Sequence, residues 1–379
     1  MSTTPATVSG PVETSPDLLY TEEEEALRSA VRDLLTDHCD AASVLARTES
    51  DTPHDPDLWK ALTEGMGLAG LLVPEPFGGQ GATHREVAVV LEELGRAVAP
   101  VPYLTSAVIA TEALLSCGGD TAGELLGALA SGRTVAALAV PLSTAPGPVT
   151  ATVRYEGGAL HGRVTGVADA GAADLLLVPA ADGGLYAVDT SHAEGVTVTP
   201  RTSLDRTRPL ADVGFDAVPA RLLTDAADRA VRRALSSGAG LLASEQLGVA
   251  EWCLTETVQH TRERHQFNRP VGSFQALKHR MAQVWLDTVG TRAAARAAAD
   301  ALATDRADAP LAVAVAQAYA SPVAVHAAEE ALQLHGGIGM TWEHPVHLYL
   351  KRAKADSIAL GTAGRHREAV GDLVDLGTP

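Results

Sequence analysis

Apolar residues recur at helical spacing through residues 21–132, shift toward a period of two over residues 133–223, and return to helical spacing from residue 224 to the end. In YTEEEEALRSAVRDLL, Thr21 followed by Glu24 predicts a capping box that opens an amphipathic helix. THREVAVVLEELGRAV predicts a second such helix, with Thr83 as its cap and Gly95 near its end. Between them, PDLWKALTEGMGLAGLLVPEPFGGQG reads as a short helix, a strand-like LAGLLVP and a Gly-rich turn. The middle region contains short alternating segments such as TVAALAVP and ADLLLVPAADGGLYAVDT, separated by Gly, Pro and Asp. Gly157-Gly158 and Gly183-Gly184 predict hairpin turns there. The last region predicts a helix over residues 225–264 that stops before NRP, and another starting near Ser273. A third covers PLAVAVAQAYASPVAVHAAEEALQLH and closes at Gly336-Gly337, a fourth covers HPVHLYLKRAKADSIAL, and a short one follows Thr362. Long helices on short connections imply an antiparallel bundle. The expectation is an α+β chain: a disordered tail (1–20), an N-terminal helical domain (21–132), a small antiparallel β-barrel or sandwich domain (133–223) and a C-terminal four-helix bundle (224–379).

Composition narrows the function classes. The 379 residues are 46% hydrophobic and 20% charged, which is globular, and the net charge of −18 argues against nucleic acid as a partner. The three cysteines, Cys39, Cys117 and Cys253, are far apart; they make neither a disulfide framework nor zinc-ligand spacing, and a cytoplasmic location is expected. No run of eighteen uninterrupted apolar residues predicts a membrane span, and the N-terminus has no apolar segment of the kind a signal peptide needs.

Two stretches carry candidate chemistry. RERHQFNRPVGSFQALKHR, residues 262–280, combines a basic helix end, a loop and a new helix N-terminus, which suits a pyrophosphate. Taken alone, Arg262 and Arg264 are also explained as complements to the dipole of the helix they end. QLHGGIGMTWEHPVH, residues 333–347, places two glycines where a ligand or another backbone could come close, although an ordinary helix stop has the same look. His335, His344 and His347 invite a metal reading, which the lack of acidic or cysteine partners at ligand spacing disfavours, so no metal is expected. Glu245 is a lone carboxylate in the apolar helix LLASEQLGVAEW, either on a polar stripe or buried with a task. No Walker A loop, GxSxG elbow, HExxH or strand-linked GxGxxG is present.

In this order, RHQFNRPVGSFQALKHRMA and QLHGGIGMTWEHPVHLYLKRAKADSIALGT resemble two motifs of the acyl-CoA dehydrogenase flavoenzymes, and the sequence of helices, β domain and bundle is similar to that family's from about Thr21 onward. The resemblance implies FAD as cofactor and α,β-desaturation of an acyl thioester, carried by CoA or an acyl carrier protein. It also implies a homodimer, a homotetramer or a heterotetramer with a second family member. Carried over by position, Arg264, Gln266, Phe267, Phe274 and Gln275 match contacts to FAD across a subunit interface. Gln333, Gly336 and Gly337 match the segment that approaches a partner's FAD adenosine and pyrophosphate, and Thr362 matches a threonine near the flavin phosphates.

The departures are as informative. The glutamate that the family commonly uses as base, just before the Gly-Thr of the last motif, is Leu360 here, and the family's second base location falls at Gly238. The flavin-embracing strand and loop match LAVPLSTAPGPVTA, which has no acid and no Gly-Ser-Asp, and the tryptophan expected near GRVTGVADAGAAD is missing. This mosaic resembles the actinobacterial branch of α2β2 pairs, in which one chain completes another's flavin site. Glu245 is then the expected base of an active dehydrogenase. The alternatives are a catalytically incomplete subunit that serves a partner's FAD, a non-redox enzyme of secondary metabolism on this fold, and a flavin-free binding module.

Overall fold

The computed structural model describes residues 18–376. Helices α1 (Glu22–His38), α2 (Ala41–Glu49), α3 (Pro56–Lys60) and α4 (His84–Ala97) are followed by a wide π-type turn at Tyr103–Ala110 that runs into α5 (Thr111–Cys117), and then α6 (Gly119–Ala130). Thr21 and Thr83 both form complete capping boxes, with Glu24 and Glu86. LAGLLVP is not a strand: residues 68–77 make two short 3-10 turns, because Gly67 and Gly78 take positive φ and close the backbone bonds locally. Residues 1–17 of the expected tail lie outside the described residues, but residues 18–20 are docked. The Leu18 carbonyl accepts from Arg296 at 3.0 Å, and the Arg296 guanidinium lies 3.6 Å over the Tyr20 ring.

Eight strands follow: β1 (Ala136–Leu138), β2 (Val153–Glu156), β3 (Ala159–Ala168), β4 (Leu175–Pro179), β5 (Leu185–Asp189), β6 (Val196–Arg201), β7 (Leu210–Pro219) and β8 (Arg221–Thr224). They form two sheets of order β1-β4-β5-β8 and β2-β3-β7-β6. Pairing is antiparallel throughout the two sheets except for β1 with β4, which is parallel. Both predicted Gly-Gly hairpins are present, between β2 and β3 and between β4 and β5. The first sheet is covered on both faces. Leu175, Leu177, Leu185 and Ala187 point to the helices, whereas Leu176, Val178, Tyr186 and Val188 point to the second sheet. Double burial explains why β4 reads as the unbroken run LLLVP rather than an alternation.

The bundle consists of α7 (Ala227–Glu263), α8 (Gln275–Ala303), α9 (Ala309–His335), α10 (Val346–Asp356) and α11 (Ala363–Leu373), with a two-residue hairpin, β9 (His265–Gln266) and β10 (Arg269–Pro270), between α7 and α8. Ser273 does not cap α8; Phe274 occupies the cap position and makes no side-chain cap bond. Thr362 caps α11 through its hydroxyl. Helix α9 is long and apolar enough to cross a membrane by composition, yet it packs against α7, α8, α10 and α11, which accounts for its apolar character. Helix α7 crosses α4 with the backbones in contact. A Cβ on Gly248 would lie 1.9 Å from the Glu92 carbonyl oxygen, and one on Gly95 would lie 2.1 Å from the Glu245 carbonyl oxygen. Small residues on both helices are what let Glu245 sink into the centre of the molecule.

Candidate functional site

A cleft of about 660 Å³ opens between the β domain and the bundle. One wall is Pro141, Leu142 and Ser143, with Thr165 and Gly166 beside it; the other is the end of α10 and the turn that follows, through Ala359. The volume falls within the usual range for a cofactor or substrate pocket. The first wall is drawn from the two segments in which the family's acidic loop and tryptophan were missing. The turn after α10 is tied to the β domain by the Leu360 amide, which donates to the Leu142 carbonyl at 2.7 Å. Gly361 packs against Ala145, and Thr362 stands next to it.

Behind this turn the two positions at which a base was sought come together. A Cβ on Gly238 would meet Ile109 Cγ1 at 2.8 Å and Leu360 Cδ1 at 3.2 Å. Leu360 and Ile109 are both buried. Both positions thus belong to one apolar wall that holds no proton acceptor.

Glu245, the base expected from the sequence, stands in a different environment from the one that role needs. It is 1% exposed, and both carboxylate oxygens are occupied. Arg208 Nη2 donates to Oε2 at 2.6 Å and Arg352 Nη1 donates to Oε1 at 2.5 Å. Burial alone would raise its pKa, but the two guanidiniums outweigh burial and hold it below the usual carboxylate range. A general base for work near neutral pH needs the opposite shift and a free oxygen facing the substrate.

The ion network around Glu245 has a simple charge logic. Arg352 Nε also donates to Asp205 Oδ2 at 2.8 Å, and Arg208 Nη1 donates to Asp356 Oδ1 at 2.8 Å. Three carboxyl groups, Glu245, Asp205 and Asp356, therefore share two guanidiniums. Burial, then the neighbouring Glu245 charge, pushes the Asp356 carboxyl up to about 8. A proton on Asp356 balances the cluster, and its Oδ2 makes no hydrogen bond among the described residues. The network joins the β-domain loop 205–208 to α7 and α10. Asp205 and Arg208 form the floor of the cleft on one side, so the cluster fixes the relation of the two walls.

The other candidate residues gather elsewhere, at one end of the bundle. Arg264 ends α7 and is exposed, with no ion pair among the described residues. Its carbonyl accepts from the Val271 amide at 2.8 Å, which folds the β9–β10 hairpin back on the helix end. Gln266 is exposed in β9, and Phe267, 84% exposed, holds a positive φ of 51°. Phe274 meets Phe267 edge-on at 6.0 Å and carries the Arg269 guanidinium 3.8 Å over its ring. Gln275 is the first, exposed residue of α8. Gln333 lies in the last turn of α9 and is exposed, and Gly336 and Gly337 have no neighbour within 4 Å of a built Cβ. The two segments share an end, where the His260 ring of α7 packs at a tilt against the His335 ring of α9, 4.3 Å away. Thr362 stands apart from this group, three residues beyond Ala359 at the edge of the cleft lining. An exposed arginine, exposed amides and bare glycine backbone suit the diphosphate half of FAD, and none of them lines this chain's own cleft.

The sequence profile described as acyl-CoA dehydrogenase, N-terminal domain, matches residues 21–133, and that described as acyl-CoA dehydrogenase, C-terminal domain, matches residues 229–374. The acyl-CoA dehydrogenase IpdE2 of Mycolicibacterium smegmatis is 37% identical over 340 residues, covering 90% of this chain and 95% of that protein. A variant of the Tcur3481–Tcur3483 steroid ACAD superposes with a TM-score of 0.83 at 31% identity, covering 94% of this chain and 98% of that one. The ChsE4–ChsE5 complex from Mycobacterium tuberculosis gives a TM-score of 0.85 at 28% identity, covering 96% and 100%. The chain belongs to the acyl-CoA dehydrogenase family. It is an acyl-CoA dehydrogenase-like oxidoreductase of a family that works with FAD.

Sequence reasoning missed Arg208, Arg352, Asp205 and Asp356. Arg352 and Asp356 stand one helical turn apart in KRAKAD, a pairing signal in principle, but it reads equally as a solvent-exposed pair. Arg208 sits in the loop LDRTRPL, where nothing in the local pattern marks it as buried.

Proposed function

We propose that this chain is the subunit without a base in a heteromeric acyl-CoA dehydrogenase, and that it completes the FAD site of a partner that carries one. The observation that supports this reading most is the apolar wall of Gly238, Ile109 and Leu360. Desaturation of an acyl thioester needs a group that takes the α-proton, and a leucine and a glycine offer none. Glu245 is then an anchor that holds the cleft walls together through Arg208 and Arg352. Two of the similar solved structures are named as two-protein assemblies, which favours the same arrangement.

When bound, the flavin accepts the hydride that leaves the acyl β-carbon. This chain's part is positioning. Arg264 offsets diphosphate charge, Gln266 and Gln333 offer amide donors, and Gly336 and Gly337 let the backbone come close. Phe267 and Phe274 supply an apolar face beside them. The substrate is an acyl-CoA or carrier-protein thioester held in the partner's cleft. The three unpaired cysteines fit a reducing cytoplasm.

The test is flavin content. The chain is purified alone, and also with a co-expressed family member that has glutamate at the position matching Leu360. Alone it is expected to hold little FAD; the complex is yellow and active. Arg264→Ala in the assembled complex weakens FAD binding by about tenfold or more, the loss of a charge-assisted contact of about 1.5–3 kcal/mol. A chain that binds one FAD by itself and turns over an acyl-CoA contradicts the proposal.

A further inference from the structure

Beside the segment that carries Gly336 and Gly337, the fold brings together three side chains that sequence spacing keeps far apart. Glu256 lies on the exposed flank of α7, His335 is the last residue of α9, and His344 follows the short turn after it. One potential ligand atom of each lies within 4.8 Å of the other two. His344 Nε2 stands 3.9 Å from Glu256 Oε1, and the His335 and His344 rings are 4.2 Å apart. Glu343 precedes His344 in the sequence but is not part of this cluster; the carboxylate comes from α7, across the bundle.

His335 is the second and independent sign of a ligand. It is 4% exposed, its Nδ1 is bonded to the Ala331 carbonyl at 2.6 Å, and its buried Nε2 has no partner among the described residues. A backbone carbonyl on Nδ1 places the proton there and leaves the Nε2 lone pair free, which is how proteins orient a metal-binding imidazole. An unpaired buried acceptor is costly unless something fills it.

The geometry points to Glu256, His335 and His344 as a binding site for a divalent transition metal ion of the zinc class, which pins the turn at residues 338–344 to the ends of α7 and α9. Two imidazoles and one carboxylate are the donors such ions prefer. Metal–ligand distances of about 2.0–2.2 Å require ligand atoms about 3.3 Å apart in a tetrahedron. The side chains must therefore close by about an ångström, which the short turn and the half-exposed Glu256 permit. His344 gives up a long 3.3 Å contact from the Val346 amide to its Nδ1 and moves its proton to that nitrogen. The fourth position is left to water, and His260 stacks behind His335. The ion would fix the shape of the exposed loop that carries Met340 and Trp342. The site stands on these residues and does not depend on whether the chain serves a partner's FAD.

The test is metal binding by the tag-free, full-length chain after EDTA stripping and desalting. Calorimetric titration with Zn²⁺ is expected to show one ion per chain, and Co²⁺ to give visible absorption bands of a four-coordinate site. Glu256→Gln and His344→Gln each weaken Zn²⁺ binding by about tenfold or more, with far-UV circular dichroism unchanged. Absence of Zn²⁺ uptake overturns the proposal. So does uptake that is equal in wild type and both variants, which means an adventitious ion only, held by other surface histidines.

Discussion

At the scale of the residue, Glu245 is where sequence and structure diverge most. The helix pattern singled it out correctly as an unusual carboxylate, and the missing acids at Leu360 and Gly238 made it the natural candidate for the base. What the sequence could not carry is the identity of its neighbours. Arg208 comes from a loop and Arg352 from another helix, and together they make Glu245 a bound anion rather than a proton acceptor. Glu245→Gln leaves two buried guanidiniums short of charge, and a loss of about 3 kcal/mol in chemical denaturation is expected. Asp356 gives a pH test with the opposite sign to the usual carboxylate. Its folded pKa is about 8 against an ordinary 3.8, so the folded chain keeps a proton that the unfolded chain has released. Its contribution to stability is therefore present at low pH and is lost as pH rises toward 8. Glu92, raised to about 7 mainly by burial, acts in the same direction. Asp356→Asn removes only its own share: the fall in unfolding free energy between about pH 5.5 and about pH 8.5 becomes shallower than in wild type. An unchanged slope would mean that Asp356 is ionised in the folded chain.

At the scale of the element, the hydrophobic pattern was largely sufficient. The caps at Thr21, Thr83 and Thr362, the two glycine hairpins and the long bundle helices all follow from local chemistry that needs no partner. LAGLLVP failed as a strand because an apolar run shows only that a segment is buried, and glycines on either side closed it into turns. The parallel β1–β4 pair and the crossing of α4 with α7 were not legible, since both are decided by long-range packing. That crossing makes its own prediction. Gly248→Ala places a Cβ against the Glu92 backbone with no flexible atom to give way, and a loss of about 3 kcal/mol is expected in thermal or denaturant unfolding. Ala243→Gly, on the same buried helix, costs only about 1 kcal/mol from propensity, plus its small lost contact. A Gly248→Ala protein as stable as wild type would mean that the helices are not held at backbone contact.

At the scale of the whole molecule, the candidate residues fall into two places that do not meet within one chain. The cleft has walls and a floor of fixed charges, with the apolar layer of Gly238, Ile109 and Leu360 buried behind the turn that forms one wall, while the exposed Arg264 and the Gly336-Gly337 turn lie at the bundle end. The motifs at the bundle end were readable because they are short and contiguous. The loss of an acid at Leu360 and Gly238 was readable only as substitutions; that the two positions lie against each other required the fold. The central claim is that this chain contributes flavin contacts but no proton acceptor. The most direct measurement is anaerobic bleaching of the flavin absorbance by an acyl-CoA substrate. It is made on the chain alone with added FAD, on its complex with a base-bearing family member, and on the complex with that member's glutamate replaced by glutamine. Bleaching only in the intact complex is the predicted result; bleaching by this chain alone, or its survival when the partner's glutamate is gone, would contradict the account.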